Sequence, residues 1–460
     1  MKLAHIWTAL AVVAAVPLAV AAPKITAAPP AAASDPKIAF EKYQLPNGLD
    51  VILAPDKTVP LVAVDLWYHV GSGYEVVGKS GFAHLFEHMM FRGSKHVGED
   101  RHYEILKKVG MENANGSTNP DRTNYFEVVP SNQLETALWL ESDRMGWLLD
   151  VLTKNSLDNQ IGVVRNERRQ NYDNRAYGKA LFAEYQALYP EGHPYRYLTI
   201  GRHEDLVNAS LDDVRGFFKT WYVPANATLT VSGDFDVARG KQLVEKWFGA
   251  LPASVKPTVI PVPPPTVTST EVTVTDDPLA KLTQVIFAWH SPASYAEGDA
   301  ELDIIANALS REGPGRLFKA LVYDHPIAQT VRAAQGGRTY SGVFEITVTL
   351  RGEAKLDDVK RIVFDEVARL TREPLSDKEI DRVIAGNESA AIRDLETARG
   401  RAELLQGYNH YLGDPGKLSW DLDRYRKTTA EHVRATAAKY LTPDRVVTVI
   451  TLPTARTGAK

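Results

Sequence analysis

Hydrophobic and polar positions along this chain repeat with two periods, and the two kinds of stretch take turns. "KYQLPNGLDVILAP" (42–55) reads as a turn running into a strand, and "PLVAVDLWYHVGS" (60–72) alternates as a strand should. Helical patterns follow at "GFAHLFEHMMFRGS" (81–94), "SNQLETALWLESDRM" (131–145) and "SLDDVRGFFKTWY" (210–222). "NATLTVSGDFD" (226–236) closes this half as a β-rich segment. Residues 252–265, "PASVKPTVIPVPPP", are Pro-rich and suit an extended spacer, after which "EVTVTDD" resumes a strand pattern.

The second half echoes the first. "SLDDVRGFFKTWYVPANATLTV" (210–231) and "TAEHVRATAAKYLTPDRVVTVI" (429–450) share Val-Arg, an aromatic, a proline ten residues after the valine and a Thr/Val strand. A similar offset brings "VAVDLWYH" near "TQVIFAWH". Two matches at about one spacing predict duplicated α/β domains in an α+β chain rather than a short-period solenoid. The expected division is a first domain over 37–251, a linker over 252–270 and a second domain over 271–455.

Composition narrows the function classes. The chain has 460 residues, 44% hydrophobic and 24% charged, with a formal net charge of −4, which gives no signal for binding nucleic acid. Cysteine is absent, so a metal site must use His, Asp or Glu. The N-terminus has the form of a secretory signal peptide over 1–21: Lys2, an apolar stretch, then Ala19-Val20-Ala21 before the cut. Its apolar run is short and broken by Pro17, which argues against a lasting membrane anchor, and it lacks the arginines of a mitochondrial presequence. Residues 22–36 read as a disordered lead-in, and the expected location is the periplasm.

The helix at 81–94 carries the candidate chemistry. His84 and His88 stand at i and i+4, one turn apart on one face, and can each offer a nitrogen to one Zn²⁺. Glu87 lies near the same face, where it can take a proton from an attacking water without binding the metal. H-x-x-E-H is the inverted form of H-E-x-x-H. The bland alternative is a pair of core histidines bonded to carbonyls, but three ionisable groups in an apolar helix are expensive to bury unpaired. Shifting by 219 residues sets Asp303, Ala306 and Asn307 opposite His84, Glu87 and His88, so the second copy fills the same slot without a metal motif. A third ligand need not be local. Glu167 in "DNQIGVVRNERRQNYDN" (158–174) is one candidate among many acids, and spacing does not choose it.

Several stretches together resemble the M16 (pitrilysin-like, insulinase-like) zinc metallopeptidases, and among them the half-size bacterial subfamily. They are "LPNGLDVILAPD", "WYHVGSGYE", "GFAHLFEHMMFRGS", "MENANGSTNPDRTNYFEVVP", "VVRNERR", "HPYRYLTIG" and "YVPANATLTVSGDFD", in the family's order. The resemblance implies two M16-type domains joined by a linker and one zinc ion per chain, held by His84, His88 and the distal ligand Glu167, with Glu87 as general base. It also implies that Asn113 and Ala114 hold the substrate backbone as an added strand. From composition alone, Asn113 reads as a turn residue.

Two departures from the family pattern stand out. Gln160 occupies the position where many members carry a second glutamate, seven residues before the distal ligand. In "GRLFKALVYDHPIAQTV" the positions of the usual Arg and Tyr, seven apart, hold Val322 and Gln329. Arg316 and Tyr323 have the right spacing but begin six residues early, and read as helix-packing residues. The resemblance therefore implies a zinc endopeptidase acting on unfolded or short peptides as the zinc-bearing subunit of a heterodimer, with a homologous Arg/Tyr-bearing subunit as partner. The rivals are a peptide-binding or scaffold subunit with little activity, and a processing-peptidase β-like subunit.

Overall fold

The computed structural model describes residues 35–454, apart from 260, 261 and 263. The signal-peptide reading and nearly all of the lead-in lie outside the described residues. No helix among those described is long and apolar enough to cross a membrane.

Two mixed sheets form the frame. The first is built from β1 (Glu41–Gln44), β2 (Asp50–Pro55), β3 (Leu61–Tyr68), β4 (Asn113–Thr118), β5 (Thr123–Pro130) and β6 (Ala227–Gly233), in the order β1-β2-β6-β3-β5-β4. The second contains β7 (Thr270–Val274), β8 (Gln284–Ser291), β9 (Ala328–Gly336), β10 (Gly342–Leu350) and β11 (Val447–Thr451), in the order β7-β11-β8-β10-β9. In each sheet one strand pair is parallel, β2 with β6 and β7 with β11, and the remaining pairs are antiparallel. Leaving out β1, the two orders and strand directions superimpose. The duplication expected from two sequence echoes is thus a property of the whole topology.

Each sheet is covered on both faces, so its central strands are buried almost throughout. On the first sheet, Val62, Val64, Leu66 and Tyr68 point into a large core with Leu229, Val231, Leu138 and Phe86. A separate core gathers Val285, Phe287, Trp289, Ile346 and Val348 of the second sheet. The helices that build the site and cover the sheets include α1 (Phe82–Met89), α2 (Lys154–Arg168), α3 (Gly178–Leu188), α4 (Asp299–Ser310) and α5 (Ala398–Leu412). Helices α1 and α4 occupy matching slots, and α2 starts at a capping box in which Thr153 and Ser156 satisfy each other's backbone amides.

The opposite faces are covered by an exchange. Helix α3 precedes the Pro-rich stretch, yet packs on the second sheet, where Ala180 and Leu188 join Ile286, Ala288, Val447 and Val449. Helix α5 comes from the second half and packs on the first sheet, with Ala398 and Ala402 on Ala63 and Val128, and Leu405 on Ile52 and Ala54. Gln406 of α5 donates to the carbonyls of Asp65 (2.9 Å) and Thr228 (2.8 Å). Between the sheets, the described residues of 252–269 form no helix or strand.

Candidate metal centre

The residues between β3 and α1 hold both walls of the site. Ser72 and Gly73 donate their amides to the carbonyls of Asn119 (3.2 Å) and Pro120 (2.8 Å), which fastens this segment to the β4–β5 turn. Two residues on, Glu75 accepts from the amides of Gly81 and Ala83, each at 2.8 Å. These are orphan donors at the N-terminus of α1, where a carboxylate also meets the positive end of the helix dipole. Burial pushes the Glu75 carboxyl up to about 8, and the amide bonds pull the other way. Gly81 has φ +91°, and a Cβ there would lie 3.1 Å from the Cα of Gly201, so only glycine suits this entry to the helix.

Helix α1 then projects His84 and His88 toward α2. His88 Nε2 lies 3.1 Å from Glu167 Oε2, His84 Nε2 lies 3.6 Å from the same oxygen, and the two Nε2 atoms are 3.3 Å apart. His84 is 8% exposed, and burial, reinforced by His88, pushes its pKa down to about 4, so the ring is neutral. The hydrogen bond from His88 holds the Glu167 carboxyl below its usual range. Two ligand bonds of about 2.0–2.1 Å meeting at a tetrahedral angle set the ligand atoms about 3.3 Å apart. The three measured separations scatter around that value. Two imidazole nitrogens and a carboxylate oxygen converging on one point form a donor set that fits zinc. His84 Nδ1 is buried without a protein partner among the described residues, so packing rather than a hydrogen bond fixes the ring.

Glu87 stays outside this triad. Its Oε2 accepts a 2.7 Å bond from Thr118 Oγ1 at the end of β4, and burial pushes its carboxyl upward. Strand β4 approaches α1 closely at Gly116, where a Cβ would meet Glu87 Cγ at 3.0 Å and Phe91 Cε2 at 3.1 Å. Asn113 and Ala114 begin β4, so Asn113 opens a strand rather than a turn. Among the described residues only β5 pairs with β4, which makes it an edge of the sheet.

Other expected residues fall elsewhere. Gln160 is on α2, two turns before Glu167, and lines a cavity of about 220 Å³ with Met89, Leu148 and Leu152. Arg316 is committed to packing: it pairs with both oxygens of Glu379 (2.7 and 2.9 Å) and donates to the carbonyls of Glu373 and Pro374. Tyr323 differs from its expected packing role, since it is 60% exposed, with its ring 5.6 Å from that of Phe318 in a T-shaped contact. Gln329 is exposed on β9, and Val322 packs on the second core. In the slot of His84, Asp303 accepts a 2.6 Å bond from Tyr425 and faces no metal-like set among the described residues. One more cluster, His102 with Glu127 and Glu141, is buried together, but Arg144 engages both oxygens of Glu141 and puts a cation where a metal would stand. Sequence reasoning missed Glu75 and Thr118. Thr118 contacts α1 from a distant stretch, whereas Glu75 lies only six residues before Gly81, and the glutamate ending "WYHVGSGYE" was the available signal for it.

Comparison with known proteins bears on the family and the fold. Residues 50–190 match the family model described as "Insulinase (Peptidase family M16)", and residues 208–387 match "Peptidase M16 inactive domain". A zinc protease of Helicobacter pylori, PqqE, is 27% identical over 372 residues, covering 80% of this chain and 83% of that protein. The crystal structure of a protease from Helicobacter pylori superimposes with a TM-score of 0.84 at 26% identity, over 90% of this chain and all of that one. The periplasmic protease PqqL of Escherichia coli shares the fold, with a TM-score of 0.74 at 18% identity, over 91% of this chain and 48% of PqqL.

Proposed function

Since the chain belongs to the M16 family of peptidases, we propose that it is a zinc-dependent endopeptidase in which His84, His88 and Glu167 hold the metal and Glu87 is the general base. The carrying observation is the convergence of three ligand atoms on one point beside a fourth, non-ligating carboxyl that a neighbouring strand holds in place. Zinc bound there would polarise a scissile carbonyl and acidify the attacking water. Glu87 takes the proton from that water and passes it to the leaving amine. Thr118 keeps the carboxyl turned toward the site. The unpaired edge of β4 at Asn113 and Ala114 receives an extended peptide as a further strand, which suits unfolded or short substrates.

The active form on this reading is a heterodimer. Val322 and Gln329 supply neither a guanidinium nor a phenol, and the guanidinium of Arg316 is engaged with Glu379. One missing oxyanion donor commonly costs about 10²–10³ in rate. A homologous subunit carrying Arg and Tyr would restore both groups. A periplasmic location suits the leader pattern and the periplasmic relative PqqL.

Metal analysis and cleavage of a mixed peptide library test the reading. Glu87→Gln should keep one zinc per chain and lose cleavage, while His84→Ala, His88→Ala and Glu167→Ala should lose both. Full zinc in Glu167→Ala would remove that residue from the ligand set. Activity should rise steeply when an Arg/Tyr-bearing homologue is titrated in, and full turnover by this chain alone would refute the heterodimer.

A further inference from the structure

The turn joining β4 to β5 carries a carboxylate that is 1% exposed, Asp121. Its oxygens accept three hydrogen bonds. Tyr195 donates its hydroxyl to Oδ1, and Oδ2 accepts from the amide of Thr339 (3.0 Å) and the hydroxyl of Tyr411 (3.1 Å). Tyr195 in turn accepts from the amide of Tyr340 at 3.2 Å. Thr339 and Tyr340 belong to the β9–β10 loop, and Tyr411 belongs to α5. Two separate elements of the second half therefore converge on one side chain of the first.

A buried carboxylate needs donors, but the cation beside it in the chain does not serve it. Arg122, its chain neighbour, turns away and donates to the carbonyl of Ser117 (2.9 Å) and to Asn124 Oδ1 (3.2 Å). The turn itself has little freedom. Asn119 Oδ1 accepts from the amides of Asp121 (2.8 Å) and Arg122 (2.9 Å), and Ser72 and Gly73 pin the carbonyls of Asn119 and Pro120. Thr118, which holds Glu87, is the next residue before this turn. Asp121 lies three residues after Thr118, so a shift of the turn has a short backbone path to that hydroxyl.

We infer that Asp121 is a positioning residue, through which the β9–β10 loop and α5 fix the Thr118 hydroxyl and hence the carboxyl of Glu87; this rests on the peptidase reading above. A displacement of about 1 Å at a reacting group costs up to about 100-fold in rate. The second half, which lacks a metal motif, thereby sets the alignment of the general base.

A double-mutant cycle on the zinc-loaded chain, assayed with its Arg/Tyr-bearing homologue, tests this. Asp121→Asn and Thr118→Val should each lower kcat roughly 10- to 100-fold, with KM and zinc content unchanged. The double variant should be no slower than the worse single one. Multiplying losses, or a loss that follows KM or zinc, would overturn the inference. Hydrogen exchange of the metal-free chain supplies a second readout. Tyr411→Phe, which removes one hydroxyl and keeps the packing, should speed exchange of amides 113–118, as should Asp121→Asn. Unchanged exchange in Tyr411→Phe would also overturn it, even if Asp121→Asn fails to fold. If the wild-type chain cleaves nothing, the peptidase reading fails, and the exchange measurement still decides whether the second half holds β4.

Discussion

Gly116 has no side chain, and that lets Glu87 sit where it does. An added methyl would press on Glu87 Cγ at 3.0 Å, Phe91 Cε2 at 3.1 Å and the Asn124 carbonyl at 3.3 Å. Gly116→Ala should therefore destabilise the fold by about 1–3 kcal/mol and abolish most cleavage. It should leave zinc in place, because the three atoms that crowd the methyl most belong to Glu87, Phe91 and Asn124 and not to a ligand. Zinc lost along with activity would show that the strand also supports the ligands. Glu75→Ala makes a contrasting case: it frees two amides at the start of α1, and zinc affinity should fall with stability, read by metal titration and urea unfolding. At this scale the sequence was legible where chemistry is local. His84, Glu87 and His88 lie within one turn and a half, so their spacing alone places them near one face. Glu167 is 79 residues past His88, and only the family pattern distinguished it from other acids. Thr118 left no local trace, because folding creates its contact with Glu87, while Glu75 lies near the helix start it caps but carries no spacing that marks it.

Among the elements, the exchanged helix α5 meets the first sheet at a pair of histidines. His69, at the end of β3, and His410 approach at 2.7 Å between their Nδ1 atoms, with rings stacked at 5.0 Å. One ring must donate and the other accept, so the pair requires at least one neutral imidazole. Thr228 of β6 faces His69 Nε2 at 3.0 Å, and the nearby charges are the cations Lys42, Lys256 and Arg122. Burial, with those cations, pushes His410 down to about 3 and His69 well below its usual range. An unfolded chain takes up protons at about pH 6.5, where the folded pair does not. Stability is thus complete above about pH 6.5 and falls as pH drops toward 3, by up to about 1.4 kcal/mol per pH unit for each proton. His410→Gln should flatten that slope between pH 6.5 and 4 in urea unfolding. An unaltered slope would assign the acid sensitivity to other groups. Element types were readable from periodicity, and the echo at 219 residues anticipated the repeated topology. The exchange of helices was not readable. An amphipathic pattern says that a helix has an apolar face, and is silent on which sheet will cover it.

For the whole molecule, the exchange alters what a cut in the Pro-rich stretch should do. Residues 252–269 have no regular structure where described and are expected to be the first site of limited proteolysis. The two pieces should nevertheless elute together in gel filtration, because α3 and α5 each remain on the other piece's sheet. Separation without denaturant would contradict this, and so would first cuts within 81–170. Composition and the Pro-rich run pointed to two modules, yet each module leaves one face of its sheet for the other to cover.

The same exchange imposes an order of events on a chain made from its N-terminus. The outer face of the first sheet, with Ile52, Ala54, Ala63 and Val128, is complete in sequence once residue 233 has emerged. Its cover, 398–412, is synthesised far later. In the interval a broad apolar surface has no native partner, and the helix destined for the second sheet has nothing to rest on. A chain stopped before residue 398 should aggregate, and adding a peptide of residues 396–414 during refolding should lessen that. Such a nascent chain is a client for holding factors until its closing helix arrives.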